Sequence, residues 1–163
     1  MQLIVFYASL LVLQGYVAVL LAPLPAPDLF VVAMLTLLWR LPAWQLVLIG
    51  YGIGLLQDIV GHGSLGIHAL GIAGAALLAS LVKSRINQAG LAERLLTVLS
   101  ALVGKWLVIA LLLLWLGRSR NPLEELLRVA PLEALFTVLA SVVILPLASR
   151  LLDRSALLRK ELL

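Results

Sequence analysis

The sequence contains no cysteine, which excludes disulfide bridges and thiolate metal sites. It has only two histidines, so little is available for imidazole ligation or for proton transfer near neutral pH. Charge is scarce as well. Only 12% of residues are Asp, Glu, Lys or Arg, where a soluble domain carries about 25%. No Walker-type phosphate loop and no glycine-rich dinucleotide fingerprint occurs, which argues against nucleotide-driven chemistry. The scattered serines suggest no Ser-His-Asp arrangement. No Lys or Arg precedes the first apolar run, so it lacks the basic start of a secretory signal and reads as a retained helix.

What fills the chain instead is apolar surface: 63% of its 163 residues are hydrophobic. Such a chain has too little polar surface to stay dissolved, and the bilayer is its natural solvent. The net charge of +4 does not point to nucleic acid, because the basic residues sit at the ends of apolar runs and form no single stripe. At helix ends they set membrane orientation.

The expected architecture is one all-α integral membrane domain of six spans. The first covers residues 3–22, with Gln14 its only strongly polar residue. Pro23, Pro25 and Pro27 end it, since proline lacks the amide a continuing helix needs. Residues 28–57 as one helix would be about 45 Å long, against a hydrocarbon core of about 30 Å. Pro42 disfavours helical geometry in Leu41 and splits the stretch into helices 28–40 and 43–58. The first is short for a span and calls for shielding by protein or a locally thinned bilayer. A glycine-rich turn, Gly61 to Gly66, leads into a span over 67–82 rich in glycine and alanine, whose small side chains allow close helix approach. Further spans are expected at 95–116 and 132–150. An interfacial helix is expected over 121–130, with Asn121 as its cap, Pro122 in its first turn and Glu124 four residues before Arg128. Residues 151–163 form a basic tail suited to an anionic membrane surface. With both termini cytoplasmic, eight basic residues (Arg40, Lys83, Arg85, Arg94, Arg150, Arg154, Arg159, Lys160) face inward and three (Arg118, Arg120, Arg128) face outward. That bias supports a cytoplasmic C-terminus and a periplasmic interfacial helix.

Lys105 is the most unusual residue. An ionisable group inside a span is costly and is by default a functional candidate. The alternative is snorkelling of its stem towards an interface. Asp58 and Glu133 are candidate partners. Asp28 can cap the second helix. Asp58 sits at the unfavourable end of its helix and therefore calls for a partner, either an exposed amide of the glycine turn or a cation. Asp58, His62 and His68 make a metal site conceivable, but ordinary polar interface groups are the preferred interpretation. Glu124-Glu125-Leu126-Leu127-Arg128 invites comparison with the paired-glutamate motif of a membrane protease, yet only two residues separate the pair from the arginine where the motif has three. A surface ion pair is the better explanation.

Between Pro27 and Ala79 the order of features is distinctive. Pro27-Asp28 opens a short apolar helix, Leu41-Pro42 breaks it, Gly54-Leu55-Leu56-Gln57-Asp58 ends the next, and Ser64-Leu65-Gly66 opens a small-residue span. This order resembles the rod shape-determining protein family MreD. A late proline, Pro146, and a basic tail extend a looser match over most of the chain. The resemblance implies a multi-pass protein of the bacterial inner membrane, with a fold like the substrate-binding component of energy-coupling-factor vitamin transporters. It implies a non-enzymatic role with no cofactor, in association with MreC and through it with MreB filaments and the RodA–transpeptidase pair that makes peptidoglycan. Family motif positions fall on Pro27, Asp28, Pro42, Gly54, Asp58 and Gly66, and these can serve the fold or a partner. A solute-binding membrane component is the alternative function, though convergent polar groups are few. An intramembrane hydrolase is weaker still.

Overall fold

The structure is a computed structural model. It describes the backbone of residues 2–61, 65–86, 90–117 and 122–161, and the side chains within these except at 2–4, 91, 122, 123, 125 and 153–161. Among the described residues there are six α-helices and no strand: α1 (Gln2–Leu21), α2 (Leu29–Leu35), α3 (Ala43–Val60), α4 (Ile67–Lys83), α5 (Leu91–Trp115) and α6 (Pro122–Glu161). Three stretches, Ala43–Val60, Ala92–Trp115 and Leu126–Leu152, are long and apolar enough to cross a membrane. Large apolar side chains such as Val12, Val19, Leu20, Leu107 and Val143 stand exposed on the outer faces. An apolar surface that broad marks a bilayer-facing protein.

The proline-rich connector after α1 does not lie at the end of the bundle. The Leu29 amide donates to Gln14 Oε1 at 2.8 Å, and Gln14 lies seven residues before the end of α1. The chain therefore folds back alongside α1 by about 10 Å before α2 begins. Irregular backbone at that depth is tolerated only when buried in protein. Pro27, Asp28 and all seven residues of α2 are indeed buried. Antiparallel to α1, α2 ends where Thr36 Oγ1 meets the Tyr7 hydroxyl at 2.7 Å.

The helix expected over 28–40 is thus corrected to Leu29–Leu35. Residues 36–40 close in tight turns, with Leu37, Leu38 and Arg40 amides each bonded three residues back. The expected shielding by protein is present. Pro42, in extended geometry at φ −67° and ψ 155°, starts α3.

Small residues draw α3, α4 and α5 together. A Cβ on Gly54 would lie 2.4 Å from the Ala69 Cα. One on Gly104 would lie 2.6 Å from the Gly74 carbonyl oxygen. Backbone approach this close is what glycine permits between membrane helices. Ala69, Ile72, Ala75, Ala76 and Ala79 form the buried face of α4, against Leu46 of α3 and Val98, Ala101 and Leu102 of α5.

The last helix departs most from expectation. The separate interfacial helix (121–130), sixth span (132–150) and tail are one 40-residue helix that runs through Pro131 and Pro146. Proline removes one amide bond and crowds the preceding turn, but one buried face keeps its phase through both. Leu126, Glu133, Thr137, Ser141, Ala148 and Leu152 are all buried, at spacings of four and seven residues. That is a continuous helical stripe. The Asn121 cap lies outside the described residues.

Candidate functional site

At the centre of the bundle lies a buried set of charges. Lys105 projects from the middle of α5, and its Nζ is 2.5 Å from Asp28 Oδ2 and 2.5 Å from Glu133 Oε1. Relative exposure is 2% for Lys105, 2% for Asp28 and 9% for Glu133. The ammonium also sits 4.8 Å from the Trp106 ring centroid. Snorkelling is therefore excluded as the role of Lys105. Glu133 is a partner as anticipated, whereas Asp58 is not, and Asp28 takes its place.

Asp28 and Glu133 each have a second task. Asp28 Oδ1 accepts from the Phe30 and Val31 amides at 3.0 and 3.1 Å and so caps α2. The Asp28 amide donates to Thr137 Oγ1 at 2.8 Å, and that hydroxyl donates to the Glu133 carbonyl at 2.7 Å. With Gln14 accepting from Leu29, polar contacts link α1, α2, α5 and α6 at one level. Desolvating three charges is expensive, and good geometry with full hydrogen bonding is what offsets it. Two carboxylates face one ammonium, so the fully ionised set carries a formal excess of one negative charge.

A second carboxylate organises the α3–α4 junction. Asp58 Oδ2 accepts from the Gly66 and Ala69 amides at 2.7 and 3.2 Å, and Oδ1 accepts from the His68 amide at 3.1 Å. His68 Nδ1 lies 2.8 Å from the same oxygen. Of the two kinds of partner anticipated for Asp58, an amide of the glycine turn is present, and the His68 ring joins it. At the end of its own helix the charge is misplaced, but it sits at the start of α4, where it complements that helix's dipole. Gly66 adopts φ 98°, a left-handed conformation that glycine alone takes without strain. Gly54 lies directly beneath, against Ala69.

Two clusters take up most of the motif positions. Asp28, preceded by the buried Pro27, belongs to the central charge set, whereas Gly54, Asp58 and Gly66 build the α3–α4 turn. Pro42 belongs to neither and acts only at the α2–α3 break. His62 lies outside the described residues, and no group of three potential metal ligands occurs among the described ones. Glu124 and Arg128 are exposed on α6, and the Glu125 side chain is outside the described set. Two contributors went unanticipated. Thr137 stands one turn after Glu133 and so on the same face. Gln14, a lone amide in an apolar helix, was the visible signal for a partner at mid-depth. Comparison with family models, curated proteins and solved structures returned no match.

Proposed function

We propose that this chain is a non-enzymatic scaffold of the bacterial cell-elongation complex, an MreD-like inner-membrane protein that binds MreC. In this proposal all six helices are embedded, α2 as a half-span, in an arrangement like the substrate-binding component of energy-coupling-factor transporters. Both termini and the end carrying Arg40, Lys83 and Arg94 face the cytoplasm. Through MreC the protein bears on MreB filaments and on the RodA–transpeptidase pair, and so on lateral wall synthesis and cell shape.

One observation carries the proposal. The polar side chains of the motif segment, Asp28 and Asp58, are engaged within the bundle by backbone amides and by Lys105 and His68. Their chemistry is spent on holding a fixed shape, while the outer helix faces are left broad and apolar. A rigid body with an apolar exterior suits recognition of another membrane helix. Co-reconstitution with MreC, in mild detergent and in nanodiscs, tests the proposal. A stable one-peak complex is expected. Migration of the two proteins as separate species in both media overturns it.

A further inference from the structure

At the basic end of the bundle, a cavity of about 200 Å³ opens between the turns after α2, the start of α5 and the late part of α6. Its polar lining comprises Thr36, Arg40, Glu93, Arg94, Thr97 and Ser149. Thr36 and Thr97 are themselves buried. A water needs roughly 10–15 Å³ in comparable measure, so the space far exceeds a single solvent site.

Two features define what would fill it. The first is charge. Arginine guanidiniums suit phosphate oxygens through paired, charge-assisted hydrogen bonds, yet Glu93 lines the same space. A simple anion would set like charge against that carboxylate, whereas a ligand carrying phosphate and ammonium together answers both signs. The second feature is shape. The cavity continues as a shallow groove between α5 and α6, and Arg94, Val98 and Leu145 line both. Leu95, Val142 and Pro146 make the groove apolar beyond Arg94. A chamber with charged groups at its rim, leading into a mostly apolar slot on the outside of a membrane bundle, has the outline of a headgroup joined to an acyl chain. Lys83, bonded to the Leu38 carbonyl and set over the Trp39 ring, adds to the basic rim where lipid phosphates lie.

We infer that this cavity binds an aminophospholipid of the phosphatidylethanolamine type from the adjoining leaflet, with phosphate at Arg94, ammonium at Glu93 and one acyl chain along Val142 and Pro146. The site is independent of MreC binding and stands or falls by a separate measurement.

The test uses full-length protein stripped of lipid in detergent, titrated with short-chain phosphatidylethanolamine or phosphatidylcholine and followed by native mass spectrometry. The choline nitrogen has no N–H to offer Glu93. A charge-assisted hydrogen bond then predicts on the order of tenfold tighter binding of the ethanolamine lipid. Glu93→Gln should narrow that preference several-fold, and Arg94→Gln should weaken both lipids. A cooperative melt of each variant at the wild-type temperature without lipid establishes that it folds, and Arg94→Lys, with partial retention of both affinities, replaces a variant that does not. Equal affinity for the two lipids overturns the assignment. So does unchanged binding in Arg94→Gln. Binding of soluble glycerophosphoethanolamine as tight as that of the lipid overturns it too, in favour of a small phosphate ligand.

Discussion

Replacing Lys105 with methionine keeps the length and apolar character of its stem and deletes only the ammonium. Asp28 Oδ2 and Glu133 Oε1, each 2.5 Å from that nitrogen, would then face one another with no cation between them. Breaking a buried ion pair by removing one partner costs about 3–5 kcal/mol. For a chain of this size each kcal/mol lowers Tm by about 2–4 °C, so a fall of roughly 6–20 °C is expected. The acidic partners should behave differently. Glu133→Gln leaves Lys105 and Asp28 as a neutral pair, and the amide can still present an oxygen to the ammonium. Asp28→Asn keeps an oxygen for the α2 cap but can turn its NH₂ towards Lys105. The expected order of damage is therefore Lys105→Met greatest, Asp28→Asn intermediate and Glu133→Gln least. Thermal unfolding of purified protein in one detergent, read by tryptophan fluorescence and by loss of helical circular dichroism, measures all three. A Lys105→Met protein melting within about 2 °C of wild type, below the change expected for 1 kcal/mol, would refute the interpretation of this set as the bundle's central tie.

Further predictions concern the helix junctions and topology. Gly54→Ala forces α3 from α4, because its Cβ would meet the Ala69 backbone at 2.4 Å. A loss of about 1–3 kcal/mol is expected for such overpacking. Gly52→Ala has nothing within 4 Å and should hold or slightly raise the melt, since alanine favours a helix, which makes it the matched control. Asp58→Ala deprives the Gly66, His68 and Ala69 amides of their acceptor and should cost at least about 2 kcal/mol. Faster amide exchange over 65–69, measured by mass spectrometry, should accompany that loss. Because the chain has no native cysteine, single cysteines can be read for sidedness without background. A cysteine at Arg40 should react with impermeant reagents only from the cytoplasm, and one at Gly61 only from the periplasm.

Much of this arrangement is legible in the sequence, because prolines and glycines punctuate it. The triple proline after α1, Leu41-Pro42 and the Gly61–Gly66 turn all mark real boundaries. Asp28 as a cap and Gly66 as a tight turn follow from local chemistry alone, and the structure has both. Two features are hidden, each for a physical reason. Hydropathy carries no information about a connector that doubles back, so Asp28 looks like a group at the membrane edge and not a mid-depth partner for Lys105. The continuity of α6 is hidden because Pro131 and the charges before it resemble a boundary. Only the phase of Leu126, Glu133, Thr137 and Ser141 shows a single helix, and the phase matters once the buried face is known. The Lys105–Glu133 contact was within reach of the sequence, since an intramembrane charge demands an opposite one.

The scaffold proposal is tested most directly by photocrosslinking in living cells from single positions along the exposed faces of the helices, including Val12, Tyr16, Leu48, Ile59, Leu107 and Val143. The expected result is MreC adducts confined to one contiguous patch. Absence of MreC adducts at every exposed position, with MreC present at normal levels, would contradict it.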